Sequence, residues 1–358
     1  MPIRESTVPT LKPAVLQDFA RRLLAAGGMT AAEAEVTAAS LVGANLRGYE
    51  SHGVMRIPYY VQSIAEGETI SQAPLEFSDE GPARLVGNAN WGVGQVQAVE
   101  LLKRLIPKAR ESGVAIATLT QCGHIGRLGE YCEMAAAQGL ISMLMVNSHG
   151  GAARVAPPGG KEPRLSTNPL AIGIPHGETP LVLDFSTSAT AEGKVRVKKI
   201  AGQLVPEGWL LDSEGRPTTD PNTLYGTPAG SILPMGGPGQ TYKGFGLGLM
   251  VEIFTGALSG GVCARPVPYP KKGNCVFMML IDPARFGGMQ CFAAEVEQLT
   301  DYVRSCPTVE GCSEILLPGD PERRLLAKRT AEGITLDPEN FAALVKLAEK
   351  LGVAAPET

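Results

Sequence analysis

Ser51, His52, Arg56 and Tyr60 bring a hydroxyl, an imidazole, a guanidinium and a phenol together in a chain with only 4 histidines among 358 residues. An imidazole can hold or release a proton near neutral pH, and a guanidinium can grip a carboxylate through two parallel hydrogen bonds. The set reads as an acid/base group beside a carboxylate clamp. If the segment is helical, His52, Arg56 and Tyr60 share one face, although Pro58 limits how far a regular helix extends around it. His124 stands in a second glycine-flanked stretch, GHIGRLGEY, where Gly123 and Gly126 let backbone approach a small ligand closely. Either histidine alone could be a surface or capping residue. Two in such settings point to a site.

Asp184 interrupts the apolar run LVLDFS, and a carboxylate there must be hydrogen-bonded or charge-paired. Pairing with His52 or His124 would orient the ring and raise its pKa, as a general acid requires. Thr167 and Asn168, in LSTNPLAIGIP, are candidate substrate contacts or an ordinary turn before a strand. Lys243 in TYKGFG can balance a cofactor phosphate or snorkel at a helix start. His149, in NSHGGAARVAPPGG, is expected to line the same cleft, and His176 reads as a turn residue. No strand is followed by G-x-G-x-x-G and there is no P-loop, so a nucleotide would have to bind through backbone donors and short polar side chains at strand ends. His52, His124 and Asp184 could alternatively hold a catalytic metal in a hydrolase, but no local H-x-x-x-H pair supports it, and no metal is expected.

These groups must be positioned by a mixed set of elements. Apolar residues recur at helical spacing over 13–26 and 31–47, with Thr30 and Glu33 forming a capping box. A strand at 84–86, a helix over 94–112 and an apolar run at 114–120 make a βαβ-like rhythm. A helix follows His124 as far as Gln138, and 140–147, 170–175, 181–186 and 275–282 read as buried strands. Residues 203–240 form an excursion of turns in which Leu204, Trp209, Leu211, Leu224 and Ile232 need burial. Helices follow over 291–305 and twice beyond Pro318. The apolar stretch 244–264 is read as a buried helix rather than a membrane span, because Glu252 and five glycines interrupt it. A net charge of −4 with scattered basic residues excludes a polyanion partner such as nucleic acid. Seven cysteines without a CxxC pair or zinc spacing point to the reducing cytoplasm. The stretch MPIRESTVPTLKP lacks the apolar core of a signal peptide, so none is expected.

Six motifs in register, SHGVMRIPYY, GHIGRLGEY, VAPPGG…LSTNPLAIGIP, LDFSTSA, YKGFGLGLMVEI…ALSGG and ILLPGDPE, resemble the type 2 malate/L-lactate dehydrogenase family over about residues 13 to 350. The HIGR, PTTDP and LPGDPE forms look nearest to its hydroxycarboxylate dehydrogenase B branch. The resemblance implies an α/β, non-Rossmann NAD(P)-binding fold with a mixed, largely antiparallel sheet and a helical domain formed by both chain termini. Its implied boundaries are 1–75 plus 290–358 for the helical domain, 76–125 for a small linking and substrate region and 126–289 for the cofactor-binding sheet domain. It further implies a homodimer with sites near the interface. His52 becomes a proton donor or acceptor, Arg56 the carboxylate ligand with Ser51 and Tyr60 beside it, and His124 a second candidate for the proton. Ser148, Asp184, Phe185, Ser186, Thr187, Tyr242, Lys243, Gly319 and Asp320 align with cofactor-contacting motifs, as His124 also does. The expected reaction is hydride transfer between NAD or NADP, with NAD favoured, and a 2-oxo/2-hydroxy carboxylate of L configuration; the alternative is reduction of a cyclic imine carboxylate. QCGH and Arg127 depart from the family pattern and bear on substrate identity. Tyr59, Tyr60 and Trp91 suggest a substrate side chain larger than that of pyruvate.

Overall fold

The protein is described from a computed structural model covering residues 9–151, 153–237 and 239–357. Its helices are α1 (Pro13–Ala26), α2 (Ala31–Leu46), α3 (Ile57–Ala65), α4 (Gly94–Ser112), α5 (Gly129–Ala136), α6 (Glu192–Ile200), α7 (Thr241–Glu252), α8 (Met289–Arg304), α9 (Asp320–Glu332) and α10 (Pro338–Leu351). The main sheet has seven strands, numbered here β1 (Glu76–Asp79), β2 (Arg84–Asn88), β3 (Val114–Cys122), β4 (Ile141–Asn147), β5 (Pro169–Ile174), β6 (Leu181–Ser186) and β7 (Asn274–Ile281).

The order across the sheet is β1-β2-β3-β7-β4-β5-β6, and only β2 and β3 run parallel. Helix α4 makes the crossover between that parallel pair, which a two-residue hairpin could not do. Because the other pairs are antiparallel, the ends of β2, β3, β4 and β6 and the starts of β5 and β7 lie along one edge. Loops distant in sequence therefore meet there. Residues 76–125, expected as a separate linking region, supply three of the seven strands and share one core with β4 and β7 through Leu85, Leu101, Leu119, Leu144 and Val276.

A second core joins both ends of the chain: Leu16, Phe19 and Leu41 pack with Ile57, Ile334 and Leu344. The strand pair Thr10–Leu11 and Ile334–Thr335 ties the two ends together. Thr30 caps α2 as its sequence requires, its amide donating to Glu33 Oε2 at 2.9 Å and its Oγ1 accepting from the Glu33 amide at 3.2 Å. Glu33 also accepts from Ser71 Oγ at 2.5 Å and Gln72 N at 2.7 Å, which fastens the helical layer to the chain entering the sheet.

A third, small core gathers Val155, Leu165, Val195, Leu210, Leu224 and Ile232, so the 203–240 excursion is packed. Leu204 is the exception, 67% exposed, because the chain turns inward only at Val205. The stretch after Tyr242 is not wholly buried either. Helix α7 continues into a π turn over Ile253–Ala257, and Leu247, Leu249, Met250, Ile253, Phe254 and Leu258 stay exposed on one side. No helix among the described residues is long and apolar enough to cross a membrane.

Candidate active site

The common edge of the sheet and the start of α3 enclose a cleft of about 300 Å³ lined by Ser51, His52, Arg56, His124, Ser148 and Thr167, among others. Short 3-10 turns at Glu50–His52 and Val54–Arg56 lead into α3, with Pro58 in its first turn where a missing amide costs nothing. The geometry keeps His52 and Arg56 facing the sheet. Gly53 has no room for a side chain, since a Cβ there would lie 2.3 Å from Asn45 Oδ1.

His124 is set by glycines at a close backbone crossing. A Cβ on Gly94 would fall 2.3 Å from the carbonyl oxygens of both Gly123 and His124, and the Gly123 amide donates to Gly92 O at 3.0 Å. The GVG stretch at 92–94 thus serves to seat the histidine loop against the start of α4.

The two imidazoles stack, with centroids 5.5 Å apart and planes at 17°. Tyr60 is buried, and its hydroxyl lies 2.7 Å from His124 Nδ1 and 2.8 Å from Gln95 Nε2. The Gln95 amide donates to the phenol oxygen, which leaves the phenol proton for Nδ1. His124 then carries its own proton on Nε2. His52 Nδ1 lies 3.2 Å from Ser51 Oγ. Neither Nε2 atom has a protein partner among the described residues, and neither is sealed from solvent, so both are presented to the cleft. Burial, then Arg56 and Arg127, depress the His52 pKa to about 4. Burial, then Arg56 and His52, hold His124 well below the usual histidine value. Both rings are neutral at pH 7. Burial pushes the Tyr60 phenol up to about 12 against the pull of Arg56 and Gln95. Arg56 Nε is anchored on Ser51 O at 2.7 Å, and no carboxylate among the described residues pairs with its remaining nitrogens.

Several expected residues lie elsewhere. Asp184 pairs with neither histidine: it sits on the edge strand β6 and accepts from the Gly129 amide at 2.7 Å, at the N-terminus of α5 where unpaired amides favour a carboxylate. Burial raises its pKa, opposed by Gly129 and Arg127. Thr167 lines the cleft, but Asn168 turns inward, its amide donating to Gly248 O at 2.9 Å and Glu252 Oε1 at 3.0 Å. Ser148 lines the cleft, whereas Thr187 is buried against the carbonyls of Thr167 and Asn168, and Ser186 bonds to Ser188. Phe185 is outside the cleft lining, and Tyr242 and Lys243 are exposed on the first turn of α7. Gly319 borders a different hollow with Arg47, His176 and Arg323, and Asp320 is engaged by Arg304, Arg323 and the Leu317 amide. His149 is not in the cleft. It is boxed by Trp91 and Tyr269 at centroid distances of 4.9 and 4.8 Å, with Nδ1 3.0 Å from Cys275 Sγ. Tyr59 and Trp91 do not line the cleft either, so the aromatic argument for a bulky substrate has no geometric support.

Residues that sequence reasoning missed include Gln95, Glu252, Asn274 and Arg154. Glu252 joins two cleft-bearing loops by accepting from Asn147 Nδ2 at 2.9 Å as well as from Asn168. Its isolation within an apolar helix was the available signal. Asn274 holds the loops together, accepting from Ile125 N at 3.1 Å and donating to Asn147 O at 2.8 Å. Gln95 has no sequence signature, since only the crossing of α3 and α4 brings it to Tyr60.

A neutral histidine pair beside an open guanidinium, at the edge of a mixed sheet, is suited to proton transfer next to a bound carboxylate. The chain belongs to the malate/L-lactate dehydrogenase family, whose family model matches residues 11–345. It is 35% identical over 346 residues to an L-lactate dehydrogenase of Cupriavidus necator, covering 95% of this chain and 97% of that protein. It is likewise 35% identical over 343 residues to hydroxycarboxylate dehydrogenase B of Escherichia coli K12, covering 94% and 93%. The solved malate dehydrogenase of Pyrococcus horikoshii matches with a TM-score of 0.88 at 30% identity, covering 99% of each chain. The family is one of dehydrogenases and implies a nicotinamide cofactor. The cleft fits a flat carboxamide ring: Leu128 and Val146 offer apolar surface, and Ser148 and Thr167 offer hydroxyls at strand ends. Gly193 also keeps a gap open, since a Cβ there would lie 2.8 Å from Ser51 Cβ.

Proposed function

We propose that this enzyme interconverts a 2-oxo acid and its L-2-hydroxy acid, with His124 as the proton donor in reduction. The observation that carries this assignment is the buried chain Gln95–Tyr60–His124. A nicotinamide cofactor, when bound, would supply or accept the hydride at C2. Arg56 grips the substrate carboxylate through its free nitrogens. The Nε2 hydrogen of His124 polarises the keto oxygen, and His52 does the same when Ser51 Oγ donates to its Nδ1. As that oxygen becomes an alkoxide it takes the Nε2 proton of His124, and the Tyr60 proton moves to Nδ1. The ring stays neutral and a phenolate stands on the Gln95 amide until solvent protonates Nε2 from the cleft and Nδ1 hands its proton back to Tyr60, which restores the starting tautomer. Oxidation runs the same transfers backwards. His52 stacks on His124 and shares polarisation, and Ser51 and Thr167 border the substrate.

The cofactor is read as NAD, with Ser148 as its nearest contact; Phe185, Ser186, Tyr242 and Lys243 fall to the rest of the dinucleotide. The exposed apolar side of α7 supports a homodimer, and the free cysteines suit a reducing cytoplasm. Oxidation of NADH and NADPH with pyruvate, oxaloacetate, phenylpyruvate and piperideine-2-carboxylate, in wild-type enzyme and in H124A and H52A, tests the reading. H124A should lose on the order of 10²–10⁴ in rate, and H52A should lose less. A larger loss in H52A would move the donor role to His52. Turnover confined to the cyclic imine would replace the keto acid as substrate.

A further inference from the structure

One buried amide fastens the turns that carry His52 and Arg56. Asn45 stands in the last turn of α2 with 2% of its surface exposed, outside the lining of the cleft. Its Oδ1 accepts from the Val54 amide at 2.8 Å, and its Nδ2 donates to Glu50 Oε2. Val54 opens the second 3-10 turn, where an amide has no partner within the turn and Gly53 before it has no side chain to cap it. An amide side chain offers an acceptor on one arm and a donor on the other, which is what a backbone N–H and a carboxylate together require. The brace continues outward. Arg329, in the last turn of α9, donates to Glu50 Oε1 and to the Asn45 carbonyl, so the Glu50 charge is met.

Glu50 and Val54 lie on either side of Ser51, His52 and Gly53, and the same amide holds both. Within that span the backbone is held by local turns, His52 N donating to Tyr49 O at 2.9 Å and Gly53 N to Glu50 O at 3.0 Å. Ser51 O is also the acceptor that anchors Arg56 Nε at 2.7 Å. Gly53 lies so close against the Asn45 amide that a Cβ would not fit, so the span cannot move toward α2. The two hydrogen bonds from Asn45 stop it moving away. Resting on the oxidoreductase reading above, we propose that Asn45 is a positioning residue for His52 and Arg56. It acts through the chain between Glu50 and Val54 and touches neither substrate nor cofactor. The imidazole stack and the carboxylate grip are thereby set from α2, and through Arg329 from α9, on the side away from the cleft.

The experiment compares N45A, N45D and R329M with wild-type enzyme, using whichever keto acid of the panel above is reduced fastest. In N45A the keto-acid KM should rise and kcat should fall together, with kcat/KM lowered roughly 10- to 100-fold, the size that a small misplacement of binding and catalytic groups produces. N45D keeps the acceptor for the Val54 amide and should recover part of the loss, and R329M should show the same pattern at smaller size. A weakened fold alone lowers kcat through the active fraction and leaves KM where it was. A fall in kcat at unchanged KM therefore overturns the proposal, as does an equal rise in cofactor KM or wild-type kinetics in N45A. A second arm needs no turnover. Histidine-labelled protein gives one ring Cε1–H signal by NMR for each of the 4 histidines. In N45A the His52 and His124 signals should shift because their stacking changes, while those of His149 and His176 stay in place. An unmoved His52 signal overturns the proposal, and R329M carries both arms if N45A does not fold. If no 2-oxo acid is reduced with either cofactor, the oxidoreductase reading fails, while the histidine spectra still decide whether Asn45 sets the position of the ring.

Discussion

His124 sits where its charge state and its tautomer are set by different neighbours. Burial and the Arg56 charge keep the ring neutral, and Tyr60, fixed by Gln95, decides which nitrogen holds the proton. This has a consequence for pH dependence. An imidazolium donor of ordinary pKa would lose rate tenfold per unit above about 6.5. A neutral donor has no such limb, so kcat/KM for keto-acid reduction should stay flat from pH 6 to 8. In Y60F the hydrogen bond that selects the tautomer is gone; the expected result is a fall in kcat of about 10- to 100-fold with a much smaller change in substrate KM. Steady-state pH profiles of both proteins check this, and a titration near 6.5 in the wild-type profile would count against a neutral donor.

At the scale of elements, the site depends on how closely the start of α4 meets the loop after β3. A methyl group on Gly94 would collide with two carbonyl oxygens, and backbone cannot yield as a flexible side-chain tip can. Gly94 lies in the first turn of a 19-residue helix whose remaining turns are unaffected. Gly94→Ala should therefore keep its far-UV circular dichroism while losing most turnover, because a displacement of about 1 Å at a catalytic group can cost 10²-fold. Retention of wild-type kcat would show that the crossing does not set the position of His124.

For the whole molecule, the exposed apolar row Leu247, Met250, Phe254 and Leu258 is the feature that a single chain leaves unsatisfied. Light scattering after gel filtration should give twice the chain mass, and Phe254→Asp, which places a charge in that face, should shift the protein to monomer. A wild-type monomer would remove the dimer from the proposal. Acid stability is a second molecular property. The pKa of His52 is lowered to about 4, that of His124 is lowered further from its usual range, and burial followed by Arg265 lowers His149 to about 4. In each case the unfolded chain binds a proton that the folded chain refuses. The stabilisation is complete above about pH 6.5 and is lost as pH falls toward 4. Burial would raise the Glu33 pKa, but hydrogen bonds from Ser71, Gln72 and Thr30 more than offset it, so its contribution is lost below its usual value as well. Urea unfolding midpoints at pH 7.5, 5.5 and 4.5 should decline in that order.

Much of this was legible in the chain because it is written in local pattern. The periods of 3.6 and 2 located α1, α2, α4 and the buried strands, Thr30 and Glu33 announced a cap that formed, and the six motifs identified the family. His52 and His124 stood out because titratable groups beside glycine have little to do in a core, and Arg56 because it lies four residues from His52. What the sequence could not contain was the meeting of segments. Asp184 looked like a partner for a histidine, but the edge position of β6 delivered it to the amide of Gly129. Asn168 and His149 looked exposed to the cleft, yet their loops turned them inward toward Glu252 and Cys275. Gln95, an unremarked helical residue, came to donate to the Tyr60 hydroxyl, and Arg154 entered the cleft with no ion pair among the described residues. Period and composition are properties of neighbours along the chain, whereas a hydrogen bond or an unpaired guanidinium depends on which strand ends share an edge, and that is decided only when the antiparallel sheet closes.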